Sequence, residues 1–137
     1  MLEKLLKTSV VADLLRVDTS TLEAWRAERI GPDVVVLGRR EVRYRPADLR
    51  AWLATCSRRS TWSTEAASSA AVDLDRLLVP AEVASILGLA VGTLENWRTK
   101  GRGPDYLKLA GRIVRYRPSD VSRYIEGRVT RPAPSPP

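Results

Sequence analysis

TLENWRTKGRGPDYLKLAGRIVRYRPSD, residues Thr93 to Asp120, decides how this chain is read, because it occurs twice. The earlier copy, TLEAWRAERIGPDVVVLGRREVRYRPAD, runs from Thr21 to Asp48, displaced by 72 residues. Extended outward, Leu5–Leu53 aligns with Leu77–Ile125 without a gap, and 21 of the 49 positions are identical. Such a period is too long for a solenoid unit and suits a small domain plus a connection. The 137 residues therefore read as one module used twice. Units of roughly 50 residues bury only about 60% of their unfolded surface, so each must pack its few large apolar side chains well. With no Phe in the chain, four Trp and four Tyr carry the aromatic share.

Inside the repeated stretch, Leu94 and Trp97 lie three apart, as Leu22 and Trp25 do, which turns one side of a short helix inward. Gly103-Pro104 and Gly31-Pro32 stop that helix. Tyr106–Leu109 and Val114–Arg117 then read as strands around Ala110-Gly111-Arg112. The first copy has Val34–Leu37 and Val42–Arg45 around Gly38-Arg39-Arg40. Period-2 alternation places Arg43 and Arg45 on one face and Tyr44 on the other, and likewise Arg115 and Arg117 opposite Tyr116.

Upstream, Leu5, Leu6, Val10, Val11, Leu14 and Leu15 recur at helical spacing, with Thr8 available as an N-cap. Leu77, Leu78, Val83, Ala84, Ile86 and Leu87 repeat the pattern, with Pro80 in a first turn. Gly88 supplies a left-handed helix ending. Arg16 stands at that point in the first copy, so its ending should be strained or differently shaped. Asp18 is the expected N-cap of the next helix; Ala90 is weaker there by about 1 kcal/mol. Downstream, Pro46 and Pro118 open a last helix. Each module thus reads helix, turn, helix, hairpin, helix: a mainly α chain with small β-hairpins (α+β).

The expected divisions are a domain over 1–54, a linker over 55–73, a second domain over 74–128 and a Pro-rich, disordered tail over 129–137. Ser, Thr and Ala dominate the linker, whose Glu-Ala-Ala-Ser-Ser-Ala-Ala core could also form a transient helix. Its Trp62 either docks on a module or sits in solvent.

Charge and composition narrow the chemistry. Net charge is +7 and the pI about 10.2, a balance that favours polyanions, meaning nucleic acid or an anionic membrane surface. Residues 74–137 hold eleven basic and six acidic groups (+5), and residues 1–54 hold ten and eight (+2). The absence of His excludes imidazole acid–base chemistry and His-based metal sites, and the lone Cys56 excludes an intramolecular disulfide. No phosphate-cradling glycine loop occurs, and no carboxylate pair comes with a nucleophile, so neither a catalytic site nor a cofactor is expected. MLEKLLKTS lacks a signal-peptide core and no apolar run approaches a membrane span, which sets a cytoplasmic, nucleoid-associated expectation.

The run from the two short helices through Gly-Pro-Asp to Val-Arg-Tyr-Arg-Pro-x-Asp resembles excisionase-type winged helix-turn-helix domains, compact relatives of the MerR DNA-binding domain. Both copies match along nearly their full length. The resemblance implies two tandem winged helix-turn-helix domains, each with its second helix in the major groove and its hairpin wing along the backbone or minor groove. Asp33, Asp105 and Glu41 depart from the basic residues often found at those places in the family.

Carried onto this chain, the groove-facing residues are Thr19, Ser20, Glu23, Ala24 and Ala27 in the first copy. Their counterparts are Val91, Gly92, Glu95, Asn96, Thr99 and Lys100. Asn pairs with adenine and Glu accepts from cytosine, although Ser20-x-x-Glu23 also fits a capping box. The wing contributes Arg39, Arg40, Arg43, Arg45, Arg112, Arg115 and Arg117 as phosphate contacts, or as strand charges paired with Asp48 and Asp120.

Asn96, Lys100, Arg102 and Lys108 replace Ala24, Glu28, Ile30 and Val36, so the second copy is expected to supply most of the affinity. A tether of some 20 residues spans about 25 Å on average. Extended, it reaches about 65 Å. One turn of duplex is about 34 Å, so direct repeats one turn apart are the expected site for a monomer that binds cooperatively. The family resemblance implies an excisionase or recombination directionality factor working with an integrase. A transcriptional regulator of a phage or mobile element acting on RNA polymerase, or a protein-interaction adaptor using one degenerate module, are the alternatives.

Overall fold

The computed structural model describes residues 3–58 and 74–130. The first module runs β1 (Leu6–Lys7), α1 (Thr8–Leu15), α2 (Thr19–Ala27), β2 (Val35–Leu37), β3 (Glu41–Tyr44) and α3 (Pro46–Cys56). A short strand β4 (Ser57–Arg58) follows, and the second module runs α4 (Pro80–Leu87), α5 (Val91–Thr99), β5 (Tyr106–Leu109), β6 (Ile113–Arg115) and α6 (Pro118–Gly127). The strand read over Tyr106–Leu109 matches to the residue.

The second strand of each hairpin starts one residue earlier than expected and ends before Arg45 and Arg117, which are instead the N-cap residues of α3 and α6. The prolines at the first helical turn explain this: Pro46 and Pro118 lack an N–H to continue a ladder but suit a helix start. Thr8 is the first residue of α1, with Lys7 rather than Thr8 at the N-cap. Arg16 ends α1 at φ 59°, ψ 43°, nearly the conformation of Gly88 after α4 at φ 70°, ψ 33°. The shape is therefore kept and the strain is accepted, at a cost of about 1–2 kcal/mol for a residue with a Cβ.

Each module packs around an aromatic pair. Trp25 and Trp52 rings lie 5.5 Å apart, and Trp97 and Tyr124 rings 6.4 Å. Gly31 and Gly103, at φ +88° and +85°, pass so close that a Cβ would meet the Trp25 and Trp97 side chains at 3.3 and 3.1 Å. The Gly-Pro after each α2-type helix is thus set by a positive φ and by an indole against the backbone.

The two modules are not held only by a tether. Their sheets are β1-β3-β2 and β4-β5-β6, so Ser57–Arg58 leaves the first module and becomes the outer strand of the second, with Ser57 opposite Leu107 and Arg58 opposite Tyr106. The linker expected from residue 55 is overturned at its start: α3 continues to Cys56 and the next two residues are strand. Residues 59–73, including Trp62, and 131–137 lie outside the described residues.

Register explains the join. Leu107, Leu109, Ile113 and Arg115 share one face of the second hairpin, and Leu107 and Leu109 are buried in one cluster with Leu53, Cys56 and Leu77. Tyr106, Val114 and Tyr116 belong instead to the second module's own cluster with Val83, Leu94 and Val121. The Leu77 amide donates to the Leu14 carbonyl at 2.8 Å, closing the join from the other side. Burying two leucines fully is worth about 4 kcal/mol, which outweighs the freedom of a loose connection.

Candidate DNA-binding surface

In both modules the second helix turns its polar side outward. Thr19, Ser20, Glu23, Ala24 and Ala27 are exposed along α2, and Val91, Gly92, Glu95 and Asn96 along α5, continuing into Thr99 and Lys100. The inward sides hold Leu22 with Trp25 and Leu94 with Trp97. Asp18 and Ala90 are the N-caps, so Ser20 lies inside α2 and the Ser20–Glu23 capping box does not form. Glu23 is exposed on the outward side of α2. A box-type contact appears elsewhere: Glu82 accepts from the Val79 amide at 3.1 Å.

The wing arginines separate into three kinds. Arg39, Arg40 and Arg112, at the hairpin tips, are exposed. Arg43 and Arg45 are engaged locally: Arg43 donates to the Val42 carbonyl, and Arg45 forms a two-pronged pair with Asp48 at 2.6 and 3.1 Å. Arg115 and Arg117 correct the expectation that they line an open wing. Arg115 donates through Nε to the Leu15 carbonyl (3.2 Å) and through Nη2 to the Arg16 carbonyl (2.7 Å). It caps the end of the other module's first helix, where carbonyls lack helical partners and favour a cation.

Arg117 is buried, 3.8 Å from Asp120, and its Nε and Nη2 have no hydrogen-bond partner among the described residues. Desolvation pushes the Arg117 guanidinium pKa down and the Asp120 carboxyl up, each opposed by the attraction of its partner. Asp105, one of the acidic departures from the family pattern, is also buried and pairs with Arg123 at 3.2 Å.

Sequence reading missed the role of Arg98, the residue after Trp97. It donates to the Tyr116 hydroxyl at 2.9 Å and lies 5.9 Å from the Tyr106 ring centroid, tying α5 to the hairpin. The repeated Trp-Arg and Val-Arg-Tyr-Arg were the available signal. Missed too was a shallow polar groove bounded by Lys7, Ser9, Glu23, Arg26, Arg40 and Arg43, where the start of α1, the side of α2 and the wing converge.

Two helices at a short turn followed by a hairpin, made twice, define a tandem winged helix-turn-helix architecture. A family model described as "Helix-turn-helix domain" matches residues 5–57 and again 77–129, and the chain belongs to that family. This is a DNA-binding class of module, not a catalytic one. Searches of curated proteins and of solved structures found no match. Among the described residues no helix is long and apolar enough to cross a membrane.

Proposed function

We propose that this protein binds specific double-stranded DNA sites with α2 and α5 in successive major grooves, acting as a recombination directionality factor beside an integrase. The outward side of α5 carries this reading: Glu95, Asn96, Thr99 and Lys100 offer base-edge donors and acceptors on a rigid helix. Arg39, Arg40 and Arg112 supply phosphate contacts from the tips, in place of Arg115 and Arg117. The second module dominates base discrimination, since α2 presents Ala24 where α5 presents Asn96.

Because the modules share a packed join, the spacing of the two half-sites is set by the protein's shape rather than by a tether's reach. Direct repeats follow, since the modules are related head to tail and not by a twofold axis. Regulation of transcription through the same contacts is the competing role.

Footprinting on genomic fragments with flanking integrase and promoter sequences separates the two. Protection at an attachment site, with altered excision, supports the first role; protection over a promoter supports the second. Failure to bind any duplex at low salt would remove both.

A further inference from the structure

The join between the modules is made of two unlike halves. The first module gives the end of α3 and the strand after it; the second gives the outer edge and outward face of its hairpin. Because the modules are repeats, each half exists a second time in the same chain, and there the described residues leave it open. Moving forward by 72 residues, Leu53 becomes Ile125 and Ser57 becomes Val129. Moving back, Leu107 and Leu109 become Val35 and Leu37, and Arg115 becomes Arg43.

Both uncovered halves look like interface. Leu109 is 0% exposed but Leu37 is 43%; Leu53 is 3% exposed but Ile125 is 40%; Val129 is 75% exposed. A groove of about 550 Å³ is lined by Leu87, Trp97, Tyr124, Ile125 and Val129, with Arg102 and Arg128. Its counterparts Leu15, Trp25, Trp52 and Leu53 lie in the cluster that Leu107 and Leu109 complete. Strand β5 has a neighbour on each side, whereas β2 pairs only with β3 among the described residues.

Arg43 shares one bond with Arg115, Nη1 donating to the preceding carbonyl at 2.9 Å against 2.8 Å, while its Nη2 pairs with Glu41 at 3.4 Å. Two of the departures are opposite in charge: Arg128 replaces Cys56 on one half, and Glu41 replaces Ile113 on the other.

We propose that a second copy of this chain fills these surfaces, with Val129–Thr130 of one copy adding as a strand beside β2 of the next. The internal register places Val129 opposite Val35 and Thr130 opposite Val34. Leu37 enters the groove beside Ile125, and Arg43 donates to the carbonyls that end α4. A heterologous contact of this kind leaves one half open at each end of a pair, so assembly continues as an open chain or closes as a ring. Exposed edges accept strands in this way generally, through main-chain hydrogen bonds with side-chain pockets for specificity. The association needs no DNA.

Sedimentation of the full chain without DNA tests this. The weight-average mass of the wild type is expected to rise with concentration through the high-micromolar range. Leu37→Glu and Val129→Asp alter exposed side chains on opposite halves. Each alone should stay monomeric, with a Tm equal to that of the wild type measured at concentrations too low for association. Mixed in equal amounts, the two variants each contribute one intact half, and should give a dimer and nothing larger. A wild type that remains monomeric, variants that still associate, or a mixture that fails to pair would each overturn the proposal. DNA binding is not read in any arm, so the two readings fail separately.

Discussion

Gly103 is the tightest point of the second module, and its replacement is the cleanest test of how the core is built. Gly103→Ala places a Cβ 3.1 Å from Trp97 at a φ of +85°, so a loss of about 2 kcal/mol is expected in urea unfolding. That glycine's stopping role was legible, but the indole against it was not, because contact across a turn leaves no periodic mark. Asp120→Asn removes the ion-pair partner that buried Arg117 has among the described residues and weakens the Arg123 contact at 3.0 Å, and should cost about 3 kcal/mol by the same measurement. Arg45, which shares the same motif position, is 59% exposed at its side chain, so Asp48→Asn should cost far less. The Val-Arg-Tyr-Arg-Pro signature could not show this difference: Arg117 lies within electrostatic reach of Cys56 of the other module, a neighbour that no local pattern predicts.

Titration adds a sign. The Glu82 pKa is lowered by the Val79 amide first and then by Arg16, so its folded value lies below the unfolded one. Its contribution is present above the ordinary glutamate range and fades as pH falls through the lowered value. Comparing acid unfolding of the wild type with Glu82→Gln isolates this contribution, and the variant should show a shallower decline towards low pH.

At the level of single elements, the two outward helices are unequal instruments. Asn96→Ala on α5 should weaken binding to the preferred site by about 1–3 kcal/mol and relax discrimination at one base pair. The tips should behave differently: Arg112→Ala is expected to weaken all duplexes alike and to reduce the salt slope by about 1 in anisotropy titrations. Helix existence and the hairpin turns were readable because Leu-x-x-Trp spacing, Gly-Pro stops and helix-opening prolines are local signals. The fate of the hairpin faces was not. Leu107 and Leu109 alternate as any half-buried strand would, and nothing nearby says that the layer covering them is α3 of another module.

For the whole molecule, the packed join replaces adjustable reach by fixed geometry. Inserting about 5 bp, half a turn, between the two half-sites should reduce affinity to that of one module, because the second helix then meets the wrong side of the duplex. A chain joined only by a loose segment would tolerate the insertion. Cys56 reports on the same join: it is buried, and burial pushes its thiol pKa up. Its reaction with a disulfide reagent should be slow in the wild type and faster in Glu82→Gln, which loses the Arg16 contact across the join at 2.7 Å. Repeat length and charge revealed the two-module plan, while the direct packing of one on the other needed the three-dimensional arrangement.

The lending of Ser57–Arg58 to the later sheet also orders biosynthesis. By the time Leu107 leaves the ribosome, the strand and helix end that receive it have already been made. The amino-terminal half thereby acts as a mould on which the carboxy-terminal half sets.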